Sequence, residues 1–267
     1  MNSDNPYQPP ATTVDVADTR RDDVWDFSDP KRLPAGRGWF WIAEGFRLFA
    51  KSPGIWIVNL ILFFVITLVI AFIPFVSIVN NILQPIFLGG FMRGSQTLDT
   101  GGDLEVNHLF AGFKEKGSKL ATLGALQLGI VILYFMVIGI LAVIFVGASG
   151  LLSQGAENVD PEAIFTSVAF IAFIPILVIS MLLLGMAFWL SPQLVMLHDL
   201  EAFAAIKMSF IGSWRNIVPI IVFSIIAFIF MVIAAIPFGL GLLVMWPVLI
   251  AATYVAWKDI FTNGYPI

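Results

Sequence analysis

Apolar residues run along this chain in four long stretches that contain no Asp, Glu, Lys or Arg: 54–92, 120–156, 163–198 and 216–257. One transmembrane helix needs about 20 apolar residues, so the first and last stretches are each long enough for two. Both contain the tripeptide Ile-Pro-Phe near their middle, with its proline at Pro74 and Pro237, and proline favours a turn there. The pattern therefore predicts six spans, at 54–73, 76–93, 120–148, 164–190, 217–236 and 239–257.

The two middle stretches, 120–156 and 163–198, leave a second scheme open. If each of them also folded double, the chain would cross eight times, and the basic residues would stay on the same side as before. However, the centre of 120–147 contains neither a proline nor a polar turn, and such residues normally reverse a chain. We therefore expect one helix in each middle stretch.

A short segment with helical spacing of apolar residues precedes each predicted pair of spans. The apolar faces of these segments are formed by Trp39, Ile42, Phe46 and Phe49, by Val106, Leu109, Phe110 and Phe113, and by Phe203, Ile206, Phe210 and Trp214. Aromatic-rich amphipathic helices beside basic residues lie in the headgroup layer of a membrane. The sequence thus predicts three helical hairpins, each preceded by an amphipathic surface helix on the cytoplasmic side.

The third predicted span carries small residues at four-residue spacing, namely Ala121, Ala125 and Gly129. Helices in lipid associate through close packing of small residues, because lipid provides no hydrophobic drive for association. The third span is therefore a candidate for the centre of the bundle.

Composition supports a membrane location. Of the 267 residues, 59% are apolar and 12% are charged, and the mean hydropathy is +0.93. Soluble domains are typically about 45–50% apolar and about 25% charged. An apolar excess of this size must face lipid. We predict an all-α polytopic membrane helix bundle with the lipid bilayer as its surroundings.

The distribution of charge predicts the orientation of the spans. With six spans and the N-terminus in the cytoplasm, all 14 Lys and Arg residues lie on the cytoplasmic side, as basic residues near membrane helices generally do. The outer loop 149–162 contains acidic residues and no basic one. Both termini are thus predicted to be cytoplasmic. A net charge of −4 offers no basic excess for binding nucleic acid.

Residues 1–37 differ in character from the rest of the chain. They are rich in charge and proline and contain only scattered apolar side chains, a composition that does not offset the entropy of ordering. We predict a disordered cytoplasmic tail at 1–37 and a six-span transmembrane domain at 38–262. Residues 5–10 are either a plain proline-rich leader or a short recognition motif in polyproline conformation.

Neutral amides are the main polar side chains inside the predicted spans. The candidate intramembrane polar cluster consists of Asn80, Asn81, Gln84, Gln127 and Gln193. One interpretation places these side chains around a polar cavity or pore. The other, which we favour, is hydrogen bonding between helices.

No catalytic, cofactor-binding or metal-binding residue is predicted. The sequence has no cysteine, and its two histidines are His108 and His198. Asp199 and Glu201 lie near His198, but no second imidazole stands at ligand spacing on the same helix. An enzyme acting on lipids would require His108, His198 and Asp199 to converge near the headgroups. We expect a protein that is not an enzyme and holds no cofactor.

Three loose motifs carry a resemblance to a known group. They are Gly101-Gly102-Asp103-Leu104 with Leu109-Phe110-Ala111-Gly112-Phe113, Ser191-Pro192-Gln193-Leu194-Val195 with His198-Asp199 and Arg215-Asn216, and Trp246-Pro247-Val248 with Trp257-Lys258-Asp259-Ile260-Phe261. Over 38–262 the chain resembles an uncharacterised family of proteobacterial multi-pass integral inner-membrane proteins. The resemblance implies a location in the bacterial cytoplasmic membrane and transfers no catalytic residue.

Two functions are compatible with these patterns. The first is a role through helix packing and through contacts with lipid or with a membrane-protein partner. The second is a channel or facilitator for an uncharged small solute, lined by the five amides of the polar cluster. A continuous polar cavity would favour the second function, and amides paired within the protein would favour the first.

Overall fold

The computed structural model describes residues 25–72, 77–148 and 168–265. These residues are helical apart from short connections, and the only strand-like feature among them is an isolated bridge between Phe27 and Thr262. The helices are α1 (Arg37–Lys51), α2 (Pro53–Ala71), α3 (Ser77–Asp99), a 3₁₀ turn (Val106–Phe110), α4 (Ala111–Ala148), α5 (Val168–Trp189), α6 (Ser191–His198), α7 (Ala202–Arg215), α8 (Ile217–Ala235) and α9 (Leu242–Phe261).

Five helical segments of the described residues are long and apolar enough to cross a membrane. They are Pro53–Ala71, Val106–Phe145, Ile171–His198, Ile217–Ala235 and Leu242–Phe261. The predicted all-α class is confirmed, and the chain has the character of a multi-pass membrane protein. Helix α3, at the second predicted span, is not among the five because it contains several amides and Arg93.

The first middle stretch forms one helix where it is described, and the second forms α5 and the short α6, which are separated at Leu190. Helix α4 runs from Ala111 to Ala148, with its one non-helical residue at Lys116 near its start. Neither α4 nor α5 turns back on itself, in contrast to the eight-span scheme. The turn at Pro74 and the outer loop 149–162 lie outside the described residues. The turn at Pro237 is described, and there Phe238 and Gly239 have φ angles of 52° and 77°.

Apolar side chains point outward along much of the bundle. Leu68 of α2 is 58% exposed, Met136 of α4 57% and Leu182 of α5 61%. Exposure of this extent over several helices would be unfavourable in water. These surfaces are therefore suited to lipid.

Helix α9 lies at the centre of the protein, and α1 packs along its C-terminal half. Arg37, at the start of α1, contacts Asp259 near the end of α9. Further along α1, a Cβ added to Gly45 would lie 2.6 Å from the carbonyl oxygen of Val248. Only glycine permits this approach. The helix predicted to lie on the surface ahead of the first pair of spans therefore packs against the bundle, and it contributes Trp41 and Ile42 to the core.

The described part of the predicted tail is packed, which differs from the prediction of disorder over 1–37. The amide of Ser28 donates to Phe261 O at 2.7 Å, and that of Lys31 donates to Ile260 O at 2.9 Å. Leu33 is buried, and its amide donates to Asn216 Oδ1 at 2.9 Å. The final carbonyls of a helix lack partners within the helix. Residues 25–33, hereafter the docked segment, satisfy those of α9.

Helices α3 and α4 meet through glycines other than the predicted small-residue face. A Cβ added to Gly124 would lie 2.7 Å from Ile82 Cα, and one added to Gly112 would overlap Ile86 O. By contrast, Ala125 is exposed, and Gly129 has no neighbour within 4 Å of an added Cβ. Of the predicted small residues, Ala121 is half-buried against the core, whereas Ala125 and Gly129 contribute no close approach, since α4 meets α3 at Gly112 and Gly124 instead.

Candidate functional site

Three of the predicted cluster residues line one cavity. Asn80, Asn81 and Gln84 of α3 meet Phe63 and Thr67 of α2 around a volume of about 240 Å³. Asn80 Oδ1 is buried and has no hydrogen-bond partner among the described residues. Their spacing places these amides on neighbouring positions of one helix, as the sequence indicates.

The remaining amides are paired within the protein. Gln84 and Gln127 line a second cavity of about 290 Å³ between α3, α4 and α5, and Gln127 Nε2 donates to Ser191 Oγ at 3.0 Å. Gln193 is buried away from both cavities. Its side-chain nitrogen, oriented to satisfy its surroundings, donates to Leu190 O and Trp189 O at 3.2 Å. The structure thus brings four of the amides to two cavities that share Gln84 and separates Gln193 from them.

A buried ion pair joins α1 to the end of α9. The Asp259 side chain is 1% exposed and that of Arg37 is 17% exposed. Arg37 Nε donates to Asp259 Oδ2 at 2.7 Å, and a second Arg37 nitrogen donates to Oδ1. Trp41 Nε1 donates to Oδ2 at 2.8 Å. The carboxylate therefore has three donors, which offset the cost of its burial.

A second buried pair lies beside the first and joins α9 to α3. Lys258 Nζ donates to Asp99 Oδ2 at 2.6 Å, and the Tyr254 hydroxyl donates to the same oxygen at 3.0 Å. The ammonium also lies 3.7 Å from the ring centre of Trp25 and 4.3 Å from that of Tyr265, in the range of cation–π attraction. Burial, together with the Asp99 charge, raises the pKa of the Tyr265 hydroxyl above its usual value, so this hydroxyl stays neutral.

A third, more exposed group of charges joins α4 to the turn between α6 and α7. Lys116 Nζ and Lys119 Nζ lie 2.7 and 3.0 Å from the carboxylate oxygens of Asp199. Lys119 Nζ also lies 2.9 Å from Glu201. The three groups together bring the ends of α3, α6 and α9 and the beginnings of α1 and α4 to one end of the bundle.

The exposed group gives a pH-dependent prediction. The hydrogen bond from Lys116 is the largest cause that holds the pKa of the Asp199 carboxyl below its usual value. We expect Asp199→Asn to lower the free energy of unfolding by less than about 1 kcal/mol at neutral pH, because the carboxylate is 53% exposed. The pKa of the Asp199 carboxyl is lower in the folded than in the unfolded chain, so its ionised form adds to the free energy of unfolding at any pH above the unfolded value. This contribution is lost as the pH falls through the folded pKa.

Chemical unfolding in detergent, followed from neutral pH to about pH 3, measures this difference. The difference between the wild type and Asp199→Asn should be full above the unfolded value of 3.8, and it should shrink as the pH falls below that value towards the lowered pKa of the folded state. Asp199 has a φ of 55°, and asparagine adopts this conformation readily, so the backbone is not a confounding factor. A difference that stays constant from neutral pH down to about pH 3 would contradict the ionic origin.

The histidines do not form a metal site among the described residues. His108 Nδ1 accepts from the Glu105 amide at 2.9 Å, and its Nε2 lies 3.4 Å from Thr97 Oγ1. His198 packs between the rings of Phe27 and Trp257, at centroid distances of 4.7 and 5.0 Å. Within the described ranges, no group of three or more His, Cys, Asp or Glu side chains is placed to hold a metal ion.

Comparison of the chain with protein-family models, with curated proteins and with solved structures gives no match. The function must therefore be argued from this chain's own residues. Sequence reasoning missed the buried pairs. The available signal was the dipeptide Lys258-Asp259 directly after an apolar stretch, since charges at the end of such a helix need partners if they are buried.

Proposed function

We propose that this chain is a non-enzymatic, six-span protein of the bacterial cytoplasmic membrane that acts through contacts with lipid or with a protein partner. Its spans form three hairpins, each preceded by an amphipathic helix on the cytoplasmic face. Both termini are cytoplasmic. The resemblance to inner-membrane proteins of proteobacteria belongs to the same proposal.

The common end of the bundle supports this topology. Asp99 follows the second predicted span and contacts Lys258 after the sixth, and Lys116 precedes the third span and contacts Asp199 after the fourth. If the chain comes back to the same end of the bundle after each pair of helices, it crosses the membrane an even number of times between these points. Basic residues collect at this end, as they do on the cytoplasmic side of membranes.

The pairing of amides within the protein is the observation that carries the contact role. Gln127 donates to Ser191, and Gln193 donates to two backbone carbonyls. An amide that bonds across helices, as Gln127 does from α4 to α6, holds a bundle together, and Gln193 is occupied by its local bonds. These two amides are then not available to hydrate a solute along a path.

Cysteine labelling tests the topology, and the chain contains no cysteine that would interfere. We expect Ser153→Cys to react with a membrane-impermeant maleimide in intact cells. Lys114→Cys lies at an exposed position before the long apolar part of α4, and it should react only after the cells are opened. Labelling of Lys114→Cys in intact cells would overturn the orientation and the hairpins with it.

Photo-crosslinking from native membranes tests the contact role. A photoreactive residue at position 203, where Phe203 of α7 is 72% exposed, samples the proposed cytoplasmic face. The same residue at position 132, where Ile132 of α4 is 60% exposed, is the control within the bilayer. We expect one discrete adduct from position 203 and only general lipid adducts from position 132. Identical products from both positions would contradict a specific contact.

A facilitator for an uncharged small solute is the second candidate. The cavity of Asn80, Asn81 and Gln84 favours it, since Asn80 Oδ1 has no described partner and is free to receive a donor. Reconstituted vesicles distinguish the two functions through glycerol permeability. The contact role predicts no increase over empty vesicles. An increase that Asn81→Leu abolishes, and that Asn59→Leu near Glu105 on the same hairpin leaves intact, would establish the facilitator instead.

A further inference from the structure

A polar cavity lies where the docked segment meets α7 and α8. Its volume is about 410 Å³. Arg32 comes from the docked segment, Arg215 from the last turn of α7, and Ile217 from the first turn of α8. The cavity thus lies at the point where an apolar helix begins, which is the depth of lipid headgroups in a spanning protein.

Both arginines of this cavity have unused donors. One side-chain nitrogen of Arg215 donates to Pro30 O at 2.9 Å. Both arginine residues are exposed. Neither guanidinium pairs with a carboxylate within the part of the chain that the structure describes. Asp29 is the nearby acid of the docked segment, and it is exposed. Two guanidinium groups at one cavity favour a phosphate, because their planar donors match its oxygens.

A separate apolar groove lies between α5 and α8, and α8 contributes residues to both the groove and the polar cavity. The groove has a volume of about 490 Å³, and its lining includes Gly185, Trp189, Ile220 and Ser224. Ile217, Ile220 and Ser224 share one face of α8. At 1.5 Å per residue, Ser224 lies roughly 10 Å deeper than Ile217. Successive turns of one face of α8 therefore line the polar cavity and then the apolar groove, with the groove at the deeper turn.

The outer face of α7 fits the same depth. Helix α7 buries small residues, including Ala205, Ser209 and Gly212, against the protein. It leaves Phe203 72% and Trp214 57% exposed, with Lys207 between them on the same face. Aromatic and basic side chains together are typical of the membrane interface.

We propose that the two cavities form a single binding site for an anionic glycerophospholipid. The phosphate and headgroup lie between Arg32 and Arg215, and one acyl chain lies in the groove between α5 and α8. Charge complementarity selects an anionic headgroup, and the position of a cationic cavity one helical turn from an apolar groove favours a lipid over a soluble anion. This inference rests on the proposed membrane-spanning function, because the groove must open into a bilayer.

Lipid retention measures the selectivity for the headgroup. The full chain is purified in mild detergent after equilibration with equal amounts of phosphatidylglycerol and phosphatidylcholine, and bound lipid is counted by native mass spectrometry. We expect wild type to retain phosphatidylglycerol preferentially. In the double variant Arg32→Gln with Arg215→Gln, the ratio of retained phosphatidylglycerol to phosphatidylcholine should fall about tenfold. Arg47→Gln removes an arginine whose side chain is 62% exposed on α1, and it should keep the preference.

A second variant tests the groove. Gly185 lines the groove, and an added Cβ there meets no atom within 4 Å, so we expect the side chain of Gly185→Leu to occupy the groove. This variant should reduce retention of long-chain phosphatidylglycerol several-fold. Gly139→Leu, at an equally open position of α4, is the matched control and should have no effect. Equal retention by the Gly185 and Gly139 variants would overturn the placement of the acyl chain.

Inorganic phosphate separates a lipid site from a simple anion site. We expect phosphatidylglycerol, and not inorganic phosphate at the same concentration, to raise the unfolding temperature of wild type. An equal rise with phosphate alone would overturn the lipid assignment, as would a preference for phosphatidylglycerol that survives the double variant. Carbonate extraction of native membranes tests the proposed function separately. Release of the chain into solution would contradict the proposed function, whereas a chain that stays in the membrane but shows no lipid preference would contradict only this inference.

Discussion

Replacing Arg37 by methionine is expected to lower the free energy of unfolding by about 3–5 kcal/mol, the usual cost of breaking a buried ion pair. The variant leaves the Asp259 carboxylate, which is 1% exposed, with Trp41 as its one remaining side-chain donor. A buried charge that loses its counter-charge must take up a proton or draw in water. Denaturant unfolding of the purified chain in a fixed detergent measures the loss.

Arg47→Met is the matched control because it removes an arginine from the same helix. Arg47 pairs with Glu44, but its side chain is 62% exposed, so the expected loss is below about 1 kcal/mol. The double variant Arg37→Met with Asp259→Asn should recover part of the stability, since the amide carries no charge and still accepts from Trp41. Equal losses from the two single variants would contradict the assignment of Arg37 to a buried pair.

Replacing Gly112 by alanine should destabilise the protein by about 1–3 kcal/mol, as is typical of overpacking. The added methyl group would overlap the carbonyl oxygen of Ile86 and lie 2.9 Å from its carbon. Backbone cannot rotate away as the end of a long side chain can. Helices α3 and α4 would therefore have to separate. Denaturant unfolding measures this loss as well.

Gly139→Ala provides the comparison on the same helix. An added Cβ there has no neighbour within 4 Å, and alanine is favoured over glycine inside a helix by up to about 1 kcal/mol. We expect an unchanged or slightly raised stability. If both glycine variants behaved alike, the close approach of α4 to Ile86 would not be a determinant of the fold.

The helices were predictable because their signal is local. Uninterrupted apolar stretches and their prolines indicate where helices begin and end, and α2, α8 and α9 lie within a few residues of the predicted bounds. The neighbouring positions of Asn80, Asn81 and Gln84 follow from helical spacing alone. The cavity that Gln84 shares with Gln127 depends on how α3 meets α4, and sequence periodicity does not specify that.

The buried polar contacts were not predictable, for a related reason. Arg37 and Asp259 are 222 residues apart, and Trp25 and Tyr254 are 229 apart. Composition classified residues 1–37 as having no core to join, because few of their side chains are apolar. What holds the docked segment is largely its own backbone, which pairs with carbonyls at the end of α9. Hydropathy does not register such a contact.

The docked segment implies an order of assembly during synthesis. Ribosomes add roughly 5–20 residues per second, so Trp25 leaves the ribosome roughly 10–45 s before its partner Tyr254, which follows 229 residues later. Asp99 follows Trp25 out of the ribosome within that interval, and it too lacks its partner Lys258 until α9 is complete. Completion of α9 closes the docked segment and both buried pairs together, so a nascent chain that stalls before α9 is left with unpaired charges that cellular quality control can recognise.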